Sequence, residues 1–230
     1  MKKIAILQSN YIPWKGYFDM IAAVDEFIIY DDRQFTKNDW RNRNQIKTPQ
    51  GIQWLTIPVK TKGRFGQTIR ETEINGDAWR EQHLNTISQY YKKARFFNEV
   101  SAQLQEVYSV NFKTISDLNV TFIKLICNYL GISTKIKNSW DFSLVDGRGE
   151  RLVDLCQQSG ATVYISGPAA KNYIEPSIFK NAGIDLNWFD YDNYPEYPQL
   201  WGEFRHGVSI LDLLFNCGKE SPNYMKYVRK

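Results

Sequence analysis

The sequence predicts an α/β fold in which a mostly parallel sheet is flanked by helices and interrupted by a helical insertion. Two short apolar runs, 3–7 and 26–30, are bounded by polar loops, as is typical of buried parallel strands. From Asp77 the apolar residues recur every three or four positions, and this helical spacing continues to Gly131. Strand-like and helix-like segments then alternate to the end of the chain. We therefore place the insertion at 77–131, within a single α/β domain spanning 1–230.

The N-terminal elements follow from the positions of proline, glycine and apolar residues. After the first strand, Pro13 suits the first turn of a helix whose apolar stripe runs from Phe18 to Val24. A strand, a helix and a second strand in this order form a right-handed βαβ unit. A hairpin is predicted between Ile46 and Val59, around a turn at 49–51. The basic segment 60–66 is either a solvated connector or a loop that contacts phosphate.

The remaining elements are marked by helix caps and by short buried runs. Asp77 can begin the insertion and Gly131 can end it, with three helices predicted at 77–91, 97–110 and 116–130. Beyond the insertion we expect strands at 134–137, 162–165 and 185–191, and helices at 148–159, 175–181 and 210–216.

Composition excludes several classes of function. A net charge of +4 is too small and too dispersed for a DNA-binding face, although it suits a small ligand that carries phosphate. No apolar run approaches the roughly 20 residues of a membrane span, and the N-terminus resembles a strand rather than a signal peptide. The three widely spaced cysteines argue against a disulfide framework or a zinc site. These features favour the cytoplasm.

Polar and aromatic residues are concentrated after the predicted strands, where open parallel sheets bind ligands. The loop after the first strand enters a helix, whose free N–H groups attract anions. Guanidinium and ammonium groups would bind phosphate or carboxylate, and aromatic rings would stack on a base or a sugar. The predicted substrate-binding residues are Gln8, Asn10, Trp14, Tyr17, Asp32, Lys37, Trp40, Arg43, Asn44, Ser166, Lys171 and Tyr173.

Two further residues are candidates for catalysis. Asp31 ends the second predicted strand together with Asp32, and such an acid can bind a metal, a loop or a ribose hydroxyl. His83 follows Trp79 by one helical turn, so it is either a buried structural histidine or a general base. No metal site is predicted, and the sequence contains no Gly-x-Ser-x-Gly elbow of a serine hydrolase.

The N-terminal layout resembles that of the nucleotidylyltransferase superfamily, which is Rossmann-like. In that superfamily a His-x-Gly-His sequence opens the first helix, and here Trp14-Lys15-Gly16-Tyr17 stands in its place. Both histidines, which serve the phosphates, are missing. The resemblance therefore implies a fold more firmly than it implies nucleotidyl transfer.

A second resemblance extends along the whole chain and is to the WbqC-like proteins. Ser9 departs from that family, which usually has proline at this position, and we expect the substitution to loosen the loop. The matching stretches are Gln8–Phe18, Tyr30–Asp32, Gln34–Lys37, Trp40–Arg43, Trp54–Val59, Tyr164–Pro168, Tyr197–Gln199 and Ser209–Asn216.

The resemblance implies a role in bacterial surface polysaccharide, such as O-antigen of lipopolysaccharide. It favours an acyl transferase, and in particular an aminoacyl or glycyl transferase, that acts on a nucleotide-linked amino sugar. Two alternatives are a nucleotidyl or adenylate-forming enzyme and a non-catalytic sugar-nucleotide-binding protein of an assembly complex. The acyl donor is open between aminoacyl-tRNA, a carrier-protein thioester and a free amino acid with ATP.

Overall fold

A computed structural model of the chain describes residues 1–228. Three short 3-10 helices join longer elements; they are Ser139–Asp141, Pro168–Asn172 and Gly218–Tyr224. Those elements are β1 (Lys3–Leu7), α1 (Lys15–Ala22), β2 (Glu26–Ile29), β3 (Arg43–Thr48), β4 (Gly51–Thr56), α2 (Ala78–Tyr91), α3 (Phe97–Ser109), α4 (Ile115–Leu130), β5 (Lys135–Asn138), α5 (Glu150–Gln158), β6 (Val163–Ser166), α6 (Pro176–Asn181), β7 (Asp185–Trp188) and α7 (Ile210–Cys217).

Five strands form one parallel sheet in the order β5-β2-β1-β6-β7. In β1, Ala5 pairs with Phe27 on one side and with Ile165 on the other. The predicted α/β class with a mostly parallel sheet is confirmed, and β3 and β4 form a separate antiparallel hairpin. The chain moves outward from β1 through β2 to β5 and later returns to the other side of β1 as β6. Ligands of doubly wound, Rossmann-like sheets bind where the strand order reverses in this way, here at the carboxyl ends of β1 and β6.

Helices cover both faces of the sheet because its central strands, β1, β2 and β6, are largely apolar and buried on both sides. On one face α5 and α6 pack on Ile4, Ile28 and Tyr164. On the other face α1 and the three insertion helices share a hydrophobic cluster with Phe27 and Ile29. The insertion also reaches the loop after β1, because Asn119 of α4 donates to Ser9 Oγ at 3.2 Å and to the Arg41 carbonyl at 2.8 Å.

Helix ends agree with the capping residues to within one or two positions. The third insertion helix was predicted from 116 but begins at Ile115, capped by Thr114, whose hydroxyl accepts from the Asp117 N–H at 3.2 Å. Gly131 ends the helix at φ +74°, a left-handed conformation that glycine adopts without strain. Ser209 caps α7, and its hydroxyl accepts from the Leu211 N–H at 3.3 Å. The hairpin and the last strand are shorter than predicted, since β4 ends at Thr56 and β7 at Trp188.

The structure also shows the state of the cysteines and the length of the apolar helices. Cys127, Cys156 and Cys217 are buried and free. Over residues 1–228, no helix combines the length and the apolar character that crossing a membrane requires.

Candidate functional site

A cleft of about 320 Å³ lies at the carboxyl ends of β1 and β6, where the strand order reverses. We call it the switch-point cleft. Its volume is near the lower end of the range of roughly 300–1,000 Å³ that is typical of small-molecule sites. Its polar and aromatic lining consists of Gln8, Tyr30, Arg33, Arg148, Tyr164, Ser166 and Tyr173. The rest of its lining is apolar apart from glycine. Three predicted binding residues, Gln8, Ser166 and Tyr173, therefore meet in one place.

Two guanidinium groups make the switch-point cleft suitable for an anion. Arg33 lies 5.7 Å from the ring centroid of Tyr30, and Arg148 lies 5.2 Å from that of Tyr173. The nine ion pairs formed among residues 1–228 involve neither arginine. Their charges are therefore available for a phosphate or carboxylate, which the guanidinium geometry matches well.

Tyr30 adds a hydrogen-bonding group that has no protein partner within the described chain. Its side chain is 8% exposed, and its hydroxyl is buried without a hydrogen bond. Because buried polar atoms are normally satisfied, an unpaired hydroxyl beside a cleft is consistent with a ligand or water partner. Tyr30, Arg33 and Arg148 were not among the predicted site residues. Arg33 stands four residues after the end of β2, so its position was a usable signal, whereas Arg148 stands in a loop far away in sequence.

The loop from Gln8 to Trp14 is held in place by Asp31. The Asp31 carboxylate accepts the Ser9 N–H at 2.8 Å, the Ser9 hydroxyl at 2.6 Å and the Ser116 hydroxyl at 2.6 Å. Asp31 is 0% exposed, and burial raises its pKa. The expected catalytic role does not match this placement, because both carboxylate oxygens are engaged inside the protein.

Arg41 fixes the same loop from its other side. Its guanidinium donates to Gln8 Oε1 and, at 3.2 Å, to Asn10 Oδ1. Asn44 is buried and donates to the carbonyls of Tyr11 and Ile12 at 2.9 and 2.8 Å. These contacts hold Ile12 at φ +39°, which is uncommon for a β-branched residue. Such strain persists only where surrounding contacts impose it, so the loop is preorganised.

A second cleft, of about 270 Å³, lies on the far side of this loop. We call it the tryptophan cleft, and its lining is Asn10, Pro13, Trp14, Trp40, Asn44 and Gly207. Four predicted binding residues, Asn10, Trp14, Trp40 and Asn44, therefore meet here rather than in the switch-point cleft. The lining has no charged side chain, in contrast to the two arginines of the switch-point cleft.

His83 lies in the interior and lines neither of the two clefts. Its Nδ1 is 2.9 Å from the Tyr11 hydroxyl, and its ring packs edge-on against Trp79 at 5.3 Å. His83 is 4% exposed, and burial lowers its pKa to about 4. The imidazole is therefore neutral at pH 7 and held in a hydrogen-bonded network. This placement matches the structural alternative and not a base that meets a substrate in either cleft.

The other predicted binding residues lie outside the two clefts. Tyr17 is 2% exposed and donates to the Gln8 carbonyl at 3.0 Å, so its ring offers no stacking surface. Asp32 lines a separate open groove and is 3.9 Å from Arg70. Lys37 is exposed, and Arg43 covers the Trp54 ring at 4.0 Å. Lys171 is exposed and lies 5.7 Å from the Trp188 ring.

The basic segment 60–66 is tied to the neighbouring chain. Lys60 and Arg64 form ion pairs with Glu73 at 2.8 and 3.1 Å, and these contacts lower the pKa of Glu73 to about 2. Two cationic side chains of segment 60–66 are thus partly neutralised, which favours a solvated connector over a loop that contacts phosphate. In the part of the chain that the structure describes, no group of three or more His, Cys, Asp or Glu side chains could hold a metal ion.

Comparison with known proteins agrees with the resemblance seen in the sequence. The WbqC-like protein family model matches residues 8–224. The uncharacterized protein Rv1507c of Mycobacterium tuberculosis (strain ATCC 25618 / H37Rv) is 55% identical over 231 residues, covering 100% of both chains. No solved structure matches the chain. The chain therefore belongs to the WbqC-like protein family.

Proposed function

We propose that this chain binds a nucleotide-linked amino sugar in the switch-point cleft and transfers an acyl group, such as an aminoacyl or glycyl group, to the sugar amine. The observation that carries the binding half is that Arg33 and Arg148, at the reversal of a parallel sheet, form no ion pair with any other residue of 1–228. A diphosphate placed there gains two charge-assisted contacts. Tyr30 and Tyr173 supply a hydroxyl and an exposed ring beside it.

Acyl transfer requires a nucleophilic amine and an activated acyl donor. The amine nitrogen attacks the carbonyl carbon of a thioester or ester, a C–N bond forms, and the C–S or C–O bond breaks. The departing thiolate or alkoxide takes the electron pair, and the amine proton leaves to it or to water. Simple amines such as the α-amino group titrate at about 7.7–8.0, so a useful neutral fraction exists near pH 7 without a strong base. The proposal therefore does not depend on His83 or Asp31.

Three donors fit the reaction class: an aminoacyl-tRNA, a thioester on a carrier protein, or a free amino acid activated with ATP. The aminoacyl ester and the thioester present an electrophilic carbonyl carbon directly. The carboxylate of a free amino acid first displaces pyrophosphate from ATP to form an acyl adenylate, and AMP is then the leaving group when the amine attacks. Nucleotide sugars and all three donors are cytoplasmic molecules, so the proposal places the protein in the cytoplasm. The product would supply a modified sugar to surface polysaccharide such as O-antigen.

The second candidate is a sugar-nucleotide-binding protein without catalysis. It is favoured by the burial of His83 and Asp31, both of which are engaged in internal hydrogen bonds. In this case the switch-point cleft would still bind the nucleotide sugar, and the complex would be recognised by another protein of polysaccharide assembly.

The experiment separates these candidates in two steps. Calorimetry with nucleoside diphosphates and their amino-sugar conjugates tests binding. The same measurement on the variants Arg33→Gln and Arg148→Gln tests whether the ligand binds in the switch-point cleft. Mass spectrometry then follows acylation of the best-bound conjugate with each of the three donor types. A mass increase equal to the acyl group supports the transferase. Binding without any acylation supports the second candidate, and absence of nucleotide-sugar binding contradicts both.

A further inference from the structure

The tryptophan cleft differs in chemistry from the switch-point cleft, although the two flank one loop. Its six lining residues carry no charge, and two of them present indole rings. Gln8 of one cleft and Asn10 of the other are two residues apart, a separation of about 7 Å along an extended chain. A ligand with an anionic part and a neutral part could therefore contact both.

Both indoles of this cleft pack against other aromatic rings of the protein. Trp14 packs against Tyr191 and Tyr194, with ring centroids 5.1 and 5.8 Å away. Trp40 is 41% exposed and rests on Trp54 at 5.3 Å. Rings that are already fixed lose little conformational freedom when a ligand packs on them, which favours binding.

The amide side chains of this cleft differ in what they can still bind. Asn44 is used internally, since its Nδ2 donates to two carbonyls and its Oδ1 accepts the Gln45 N–H at 2.7 Å. Asn10 accepts from Arg41 through Oδ1. Its Nδ2 takes part in no hydrogen bond among the described residues, so it can donate to a ligand hydroxyl.

We infer that the tryptophan cleft is a carbohydrate subsite, in which a neutral pyranose ring packs its C–H face on Trp40 or Trp14 and accepts a hydrogen bond from Asn10. A pyranose has an apolar face and a hydroxylated edge, which match an indole and an amide donor. This inference rests on the proposed function, because a diphosphate between Arg33 and Arg148 leaves the sugar ring as the part of the ligand without negative charge. Arg41 then positions both halves by holding Gln8 and Asn10.

The test compares ligands that share one part and differ in the other. Calorimetric affinities are measured for uridine, for uridine diphosphate and for its N-acetylhexosamine conjugate, with the wild-type chain and Trp40→Ala. The exposed Phe65→Ala is the matched control, since Phe65 is 101% exposed and lines neither cleft. We expect Trp40→Ala to weaken the conjugate about fivefold to tenfold and to leave the diphosphate unchanged. Trp40→Phe should keep most of the affinity for the conjugate.

Three results would overturn the inference. The first is that Trp40→Ala loses affinity equally for the conjugate and the diphosphate, and the second is that it loses affinity for neither. The third is that it already loses affinity for uridine, which would place the nucleobase on Trp40. If the wild-type chain binds no nucleotide at all, the proposed function fails on its own. Saturation-transfer NMR with free hexoses and N-acetylhexosamines then tests the subsite directly. The subsite is supported if saturation is transferred to the ring protons of the sugar, and if this transfer is abolished in Trp40→Ala and retained in Phe65→Ala. Absence of transfer with the wild-type chain contradicts the subsite.

Discussion

Ser9 directs both of its hydrogen-bond donors to the two oxygens of Asp31, at 2.8 Å from its N–H and 2.6 Å from its hydroxyl. We expected serine at this position, where the family usually has proline, to loosen the loop. The expectation is wrong, because a proline has no N–H and no hydroxyl to offer the carboxylate, whereas Ser9 offers both. The first strand, the second strand and α4 meet at this carboxylate through Ser9, Asp31 and Ser116.

Removing the Ser9 hydroxyl should destabilise the fold. Hydrogen bonds to charged groups contribute about 1.5–3 kcal/mol, so Ser9→Ala should lower the free energy of unfolding by about this amount. Urea denaturation measures the change, with Ser101→Ala as the control, because this half-buried serine of α3 donates only to the local Asn98 carbonyl. Ser116→Ala should cost a similar amount, and the double variant should show coupling between the two sites. An unchanged denaturation midpoint in Ser9→Ala would contradict the anchoring role of Asp31.

His83 should make the fold sensitive to acid. Its pKa falls from an ordinary value of about 6.5 to about 4 on burial, so the folded state favours the neutral imidazole. The corresponding stabilisation is fully present above pH 6.5 and is lost as the pH falls towards 4, and it amounts to about 3 kcal/mol. Unfolding free energies measured between pH 7 and pH 4 should therefore fall less steeply in His83→Gln than in the wild-type chain. The control is His206→Gln, since His206 is exposed. If the unfolding free energy changes with pH equally steeply in the wild-type chain and in His83→Gln, the lowered pKa of His83 is refuted.

Arg148 should contribute to anion binding without contributing to stability. It is exposed and belongs to none of the ion pairs of the described chain, so Arg148→Gln should leave the melting temperature unchanged. Loss of a charge-assisted contact of about 1.5–3 kcal/mol should weaken a nucleoside diphosphate by about tenfold or more. Calorimetry at several salt concentrations measures the affinity of the wild-type chain and of Arg148→Gln for the nucleoside diphosphate. Arg95→Gln, on a surface away from both clefts, is the control, and an equal effect of the two substitutions would point to non-specific charge attraction.

Gly16 should be required for the position of Trp14. A Cβ at residue 16 would lie 2.4 Å from the Trp14 ring, so Gly16→Ala must displace the indole or the start of α1. Overpacking of this kind costs about 1–3 kcal/mol, despite the higher helix propensity of alanine. Thermal unfolding and near-ultraviolet circular dichroism report the loss of stability and the moved ring. Gly207→Ala is the control, because a Cβ there meets nothing within 4 Å, and equal stability of the two variants would contradict the prediction.

The fold was predictable because its elements have local signals. Lys3–Leu7 and the run at 26–30 are short apolar segments that only a sheet covered on both faces can bury, and Gly131 ends a helix through its own backbone freedom. The strand order was not predictable, since nothing local in β6 specifies that it pairs with β1 on the side opposite β2.

The location of the switch-point cleft was predictable, but the placement of individual side chains was not. Strand-end position, which depends only on topology, was enough to bring Gln8 and Ser166 to this cleft. His83 and Tyr17 were selected for their chemistry, yet both are buried by contacts with residues distant in sequence, Tyr11 and the sheet among them. Arg148 was missed for the same reason, because only the three-dimensional fold brings its loop beside Tyr173.

The most direct test of the central claim is a crystal structure of the chain with a nucleoside diphosphate amino sugar bound. The account predicts the diphosphate between Arg33 and Arg148 at the carboxyl ends of β1 and β6, with Tyr30 hydroxyl as a donor. A ligand bound in the open groove beside Asp32, or no ligand at a concentration that saturates binding in solution, would contradict it.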